Sequence, residues 1–454
     1  MQRMSQLILM FGTLAASLAA PAGELAASVS VGAFNVDVSP PVGSPVAYVD
    51  ARTIIDPLSA RGVVIQAEGK PIVLCAVDFI GIGNECHDAW RKALARAAGT
   101  DPDRVSVHAL HQHDGCRCDF TAERIMTEYG LGGTRFDNTF LRDAIERTAV
   151  AVAEAAATAQ PVTHIGFGQA RVEKVASNRR ILGEDGKVKI VRFSRSTDPE
   201  AIAAPEGVID PWIRSVSFWN GDSPVAALTY YATHPQSHYG KGDVTCEFVG
   251  LARNEREEAT GVPHIHFTGA GGNIAAGKYN DGSPENRPVL TARMTAGMAA
   301  AWDATERSPL TAADVDWRSR YVQLPVARHL DEEKLRATLA DKEAEAGAKL
   351  SAAVKLAWLQ RTKAALGIDV SALRLGDNWL VHLPGELFVE YQLAAQQLKP
   401  EANVCVAAYT DYGPGYIGTE IAYSQGGYET SERASNVAPE VEGVLMDAIR
   451  HLLE

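Results

Sequence analysis

The chain has 454 residues, 46% hydrophobic and 22% charged, which are the proportions of an ordinary globular protein. Disorder, collagen-like repetition and a disulfide mini-scaffold are therefore excluded. With 43 basic against 56 acidic residues the formal net charge is −13; no long basic block interrupts it, which argues against electrostatic capture of nucleic acid or of an anionic membrane.

Residues 1–22 read as an export signal. Arg3 supplies a positive start, Leu7 to Ala20 is apolar with small residues, and Ala20-Pro21-Ala22 or Ser17-Leu18-Ala19 offers a cleavage site. The run is too short to span a bilayer comfortably, so a cleaved signal is preferred to a single N-terminal tether, and no later segment reaches about 18 uninterrupted apolar residues. The expectation is an exported protein, periplasmic or secreted, with no stable membrane span. Six cysteines, Cys75, Cys86, Cys116, Cys118, Cys246 and Cys405, fit that compartment, although sequence cannot pair them. Cys116-Arg117-Cys118 lacks the spacing of a structural zinc knuckle, and Cys75 lies in an apolar run as a buried free thiol would.

Val31 to Pro41 reads as a first strand. Val63 to Gln66 and Pro71 to Ile80 form a hairpin split by Gly69-Lys70. Asn84 is placed as the cap of a helix over Glu85 to Ala98 that stops at Gly99. A strand over Val105 to His111 and a helix over Asn138 to Ala159 follow. Further strands are expected at Ile213 to Trp219, Val225 to Ala232 and His264 to Thr268. Residues 330–366 are rich in Ala, Glu, Lys and Leu and read as two helices broken near Gly347, a helical insertion packed outside the core as a structural flap rather than a lid. The sheet pattern resumes at Leu373 to Leu383 and Val404 to Ala408, and a helix closes the chain after Pro439. No internal repeat is visible. The expected fold is α/β, a mixed β-sheet core covered by helices, in a single large domain over residues 23–454.

Several motifs mislead. Gly272 to Lys278 satisfies G-x4-G-K, but Tyr279 stands where a phosphate loop needs Ser or Thr. G-x-S-x-G and H-E-x-x-H are absent. His264-x-His266 lies within a strand and reads as core or edge packing. Other residues gather at strand ends: His111-Gln112-His113 beyond one, His234-Pro235 beyond another, and Glu386 after Leu383-Pro384-Gly385. Residues two apart on an extended chain point the same way, so His111 and His113 can address one point. Neutral imidazole and carboxylate are the usual ligands of catalytic zinc, which keeps one position for water.

This ordered set resembles the catalytic domain of the neutral ceramidases, zinc-dependent amidohydrolases that cleave the N-acyl bond of ceramide. It comprises His111-Gln112-His113, Asn178-Arg179, Thr233-His234-Pro235, Leu383-Pro384-Gly385-Glu386 and the tyrosine-bearing stretch Tyr416 to Glu429. The resemblance spans roughly residues 31–454 as short motifs. It implies that His111, His234, Glu386 and Tyr416 hold Zn2+, lowering a bound water's pKa towards about 7 for attack on an acyl carbon. His113, Arg179 and Tyr428 would line the reacting group. Asp78, at the end of the Val73 to Phe79 strand, reads either as a partner that steadies a ligand histidine or as half of a salt bridge elsewhere, and the second reading is open for Arg179 too. Asp114-Gly115-Cys116 departs from the family's Ser-Gly-Pro, and Gly272 to Gly277 replaces its Gly-Asp-Val-Ser-Pro-Asn loop. The chain also has no room for the family's additional immunoglobulin-like domain. The expected activity is hydrolysis of a small-molecule N-acyl substrate, ceramide or another lipid amide first. The alternatives are a zinc esterase or deacetylase acting on a polar or carbohydrate substrate, and an exported binding protein without turnover. Oligomeric state is not legible.

Overall fold

The computed structural model describes residues 28–454; the export signal expected over residues 1–22 lies outside them. The apolar runs that announced strands are buried on both faces. In Ile72–Val77, the side chains of Ile72, Leu74 and Ala76 enter an interior shared with the other sheets, whereas Val73, Cys75 and Val77 pack under helices. The same alternation sends Leu373 and Leu375 inward and Val370 and Ala372 outward along Ile368–Leu375. Strands covered on both sides read as continuous hydrophobic segments, and that is the sequence pattern seen. Three mixed sheets thus share one core, and helices cover their outer faces.

The sheets repeat one topology. Val29–Asp37 pairs antiparallel with Ser59–Gln66, which turns back as Ile72–Val77; the chain crosses through the helix Asn84–Ala98 and returns as Val105–Ala109, parallel to Ile72–Val77. His164–Arg171, Trp212–Asn220, Ser223–Tyr231, the helix Glu247–Thr260 and His264–Thr268 follow the same order. Val315–Val322, Ile368–Leu375, Asn378–His382, the helix Val389–Leu398 and Asn403–Ala407 follow it again. The expectation of no internal repeat is therefore corrected. The units share pairing and burial pattern rather than residues, and the insertions between their elements differ too much in length to leave a fixed period. Their parallel edge strands meet: Ala408 N donates to Thr268 O and Ala109 N to Tyr409 O. Loops leaving the C-terminal ends of these strands converge at one end of the core, where ligand sites form in parallel sheets.

Three local expectations are refined. Gly83, not Asn84, caps the first long helix; Asn84 sits at φ +53° and its side-chain amide donates to Asp119 Oδ2 at 2.7 Å. Leu373 to Leu383 is a hairpin of two strands turning at Gly376, whose φ of +62° suits glycine. The helical insertion forms Glu332–Ala340 and Ala346–Lys363, so its break precedes Gly347. The second of these helices buries Ala353, Leu356 and Ala357 against Ile125 and Met126 of Phe120–Glu128, and the indole of Trp358 donates to Asn436 O. It packs outside the main core, as expected. All six cysteines are buried and free, and no described helix is long and apolar enough to cross a membrane.

Candidate metal centre

Each repeated unit delivers side chains to the point of convergence. His111 leaves Val105–Ala109 in a left-handed conformation, φ +68°, which a non-glycine residue adopts at a cost. Tyr409 holds the corresponding place in the third unit at φ +64°, and the two rings stack with centroids 4.6 Å apart. Nδ1 of His111 donates to Ile80 O at 2.6 Å. His111 and His113 do converge, Nε2 to Nε2 3.2 Å, but not along an extended strand as expected. The chain turns between them, pinned by Gln112, whose amide donates to Asp78 O and accepts from Asp114 N.

His234 lies just beyond Ser223–Tyr231, and its Nδ1 donates to Gly271 O at 2.7 Å. The glycine-rich segment that mimicked a phosphate loop is the support of this ring. A Cβ on Gly272 would stand 2.2 Å from Glu386 O, so only glycine lets that loop pass between two site residues. Glu386 and Tyr416 are register partners in a short parallel pair. Each follows Pro-Gly, with Gly385 and Gly415 both left-handed.

A backbone carbonyl can only accept, so the Nδ1 of His111 and of His234 must carry the proton, and each neutral ring presents a bare Nε2 lone pair. Both lone pairs face Glu386 Oε2, at 3.2 and 3.1 Å. Tyr416 Oη lies 3.2 Å from His234 Nε2. Ligand atoms at zinc distances on a tetrahedron are about 3.3 Å apart, so these separations match those of donors around one ion. Acceptors gathered this closely, without a proton fixed between them, call for a cation, and the donor set fits a divalent metal. Without an ion the two Nε2 atoms would take up protons in its place; burial would raise the Glu386 carboxyl, but the charge of those rings and their hydrogen bonds hold it well below the ordinary range. Burial, with Arg179 nearby, keeps His234 below the usual imidazole value against the pull of Glu386.

His111, His113 and His234 also form a compact triad, their ligand atoms all within 4.8 Å. His113 differs from the other two in its support: its Nδ1 meets the hydroxyl of Tyr48, which can donate or accept, so its tautomer is free to change. Desolvation, then the neighbouring rings of His111 and His234, hold His113 well below its ordinary value. Arg179 is buried behind Tyr416, donating from Nη1 to its oxygen at 2.9 Å. Its Nε meets Glu429 Oε1 at 3.0 Å with the N–H aimed off the oxygen, an ion pair rather than a hydrogen bond. Burial would lower the guanidinium pKa, but Tyr416 and Glu429 raise it, so Arg179 stays charged. Tyr428 is half-buried, edge-on to Tyr416 with centroids 5.7 Å apart. Asp78 is not the partner of a ligand histidine. Its carboxylate holds Arg253 at 2.7 and 3.0 Å and Ser59, a buried ion pair, while backbone carbonyls orient the imidazoles instead. His264 and His266 are buried away from the cluster, bonded to Thr260 and Thr229.

Sequence reasoning missed Tyr48, Tyr412 and Glu429. Tyr412 donates to Glu386 Oε1 at 2.8 Å, and Glu429 secures both Arg179 and Arg180. The Pro-Gly-Tyr of residues 414–416, echoing the Pro-Gly-Glu of 384–386, was the available signal for the Tyr412 turn. Nothing near Tyr48 gave one. The cluster opens into a cavity of about 350 Å³, whose walls include Tyr48, His113, Tyr428 and, from the helix Ala346–Lys363, Leu350 and Val354.

No family model and no curated protein matches the sequence. Among solved structures, a neutral ceramidase from Pseudomonas aeruginosa and a ceramidase complexed with C2 superpose on this chain, each with a TM-score of 0.69 and 16% identity. They cover 94% of this chain, which in turn spans 74% and 75% of theirs. At that identity the likeness establishes the fold, and it is the fold that the ordered motifs led us to expect.

Proposed function

We propose that this chain is an exported zinc-dependent hydrolase of N-acyl amide bonds. The observation that carries the reading is the convergence of two tautomer-fixed imidazoles on one carboxylate oxygen, at separations suited to a single ion. The ceramidase fold supports an amide as the bond cleaved. His111, His234, Glu386 and Tyr416 would hold the ion, a nitrogen and oxygen set that suits zinc. A zinc ion there supplies an activated water and polarises the acyl carbonyl.

The chain's own groups do the rest. Burial holds the Tyr416 phenol well above its ordinary value; Arg179, donating to its oxygen, acts against that and favours the phenolate an ion would bind, so it acts through Tyr416 and is a positioning residue. His113, neutral at pH 7 and with a changeable tautomer, can take a proton at the reacting face and return it to the leaving amine. The Tyr428 hydroxyl, on the cavity wall, donates to the oxygen on which negative charge develops.

Metal analysis of the purified protein tests this first. About one zinc per chain is expected, with amide hydrolysis lost to a chelator and regained with zinc. Full activity in metal-free protein would end the reading, and bound zinc with no hydrolysis across amides and esters would favour a binding protein. The cavity wall mixes polar and apolar side chains and also accommodates an ester or an N-acetyl group on a polar substrate, so both belong in that panel.

A further inference from the structure

The cavity mouth carries an unusual charge. Four cationic side chains line it, Arg117, Arg135, Lys355 and Arg433, whereas the one carboxylate in its wall is Glu386 in the metal cluster. Among the described residues none of the four has a carboxylate within ion-pair distance, although other arginines and lysines of the chain are widely paired. They are held by backbone carbonyls or aromatic faces instead. Arg117 Nε donates to Ala47 O at 3.3 Å and Arg135 Nη1 to Tyr48 O at 3.2 Å, while Lys355 Nζ donates to Glu432 O at 2.8 Å. Arg433 lies over the Tyr428 ring. Glu432 lines the adjoining groove rather than this cavity.

In a chain of net charge −13, uncompensated cations gathered at one opening focus a positive field there. A guanidinium whose backbone bond leaves its other N–H groups free is suited to a carboxylate or another oxyanion. Position adds a direction. Arg117 and Arg135 are both anchored on the segment Ala47-Tyr48, and the Tyr48 hydroxyl bonds to His113. Under the proposed function His113 serves the leaving amine, so these arginines stand on the amine side of the scissile bond. Leu350 and Val354, on the helix Ala346–Lys363, supply apolar wall for the acyl side.

We propose that the preferred substrate is an N-acyl amide whose amine half carries an anionic group, as in an N-acyl amino acid, and that Arg117 and Arg135 receive that anion. This rests on the amide-hydrolase reading. A neutral lipid amide would leave both guanidinium groups desolvated by the bound ligand and unpaired.

Three substrates with one acyl chain length test it on zinc-loaded protein: the amide of glycine, the amide of ethanolamine, and the ethanolamide of the matching ω-carboxyl acid. Glycine conjugates should show kcat/KM at least about tenfold above the neutral amide, one charge-assisted hydrogen bond's worth, and the margin should shrink as salt rises. Arg117→Gln and Arg135→Gln should each cut that preference about tenfold through KM, and weaken competitive inhibition by the free amino acid alike. Arg328→Gln, on an exposed side chain paired with Glu440, should leave it unchanged. Equal use of glycine conjugate and neutral amide overturns this inference but not the hydrolase. Preference for the ω-carboxyl substrate overturns the placement of the anion. Failure to hydrolyse any of the three, with zinc bound, counts against the amide-hydrolase reading itself.

Discussion

At the scale of single residues, His111 and His113 sit two apart in sequence yet have unlike supports. His111 is locked to a carbonyl, which fixes its tautomer, whereas His113 leans on a hydroxyl that can reverse its role. Under the proposed function the pair divides into a ligand and a proton carrier. His113→Ala should retain zinc while kcat falls about a hundredfold or more, and Tyr48→Phe should lower kcat about tenfold with zinc unchanged. His234→Ala should lose the metal. Metal content and steady-state rates on the same preparations decide it: zinc lost from His113→Ala would move that residue into the ligand set and favour the all-histidine triad.

The elements show why the site was readable in part. Strand ends were legible because residues such as Val105 to Ala109 and Leu228 to Tyr231 are buried on both faces and so run unbroken to the loops that carry His111 and His234. The hairpin at Gly376 was missed although Gly376-Asp377-Asn378 is a polar turn signal, because the apolar residues on either side were read as one strand. Long helices with clear stops, such as Asn84–Ala98 ending at a left-handed Gly99, emerged within a residue or so. The glycine-rich loop after His264–Thr268 was legible as unusual but not as a support, since what it avoids, the Glu386 carbonyl, lies over a hundred residues away. Tyr48 was invisible for the same reason: its role depends on a contact with His113 made across the fold. The loop's function can be tested by adding one methyl group. Gly272→Ala should destabilise by about 1–3 kcal/mol and weaken zinc binding. Gly347→Ala, where an added Cβ meets nothing within 4 Å, should be neutral or gain up to about 1 kcal/mol. Thermal melts and zinc titrations of both variants are the check; an unaffected Gly272→Ala would show that the loop yields freely.

For the molecule as a whole, three sheets share an interior that also holds uncharged histidines. Burial lowers His264 to about 4, and His266 and His382 to about 3. A group depressed in the folded state contributes stability above its unfolded value, near 6.5, and that contribution is lost progressively as pH falls towards the folded one. Asp114 and Asp119, raised to about 7 chiefly by burial, act the other way, because the folded chain binds their protons first as pH falls below 7. Histidines lowered in this way, His87 and His108 among them, outnumber the carboxyls that are raised, so the unfolded chain takes up more protons between about pH 6 and 4. Stability should therefore decline as pH falls across that range. Urea midpoints that stay level or rise on acidification would contradict this. Ile80 and Gly271 orient the two imidazoles through main-chain oxygens, which no codon change can delete. The arginines of the rim, by contrast, are one substitution from vanishing. Under the proposed function, lineages of this chain can therefore exchange their substrates while the centre that would hold the ion persists.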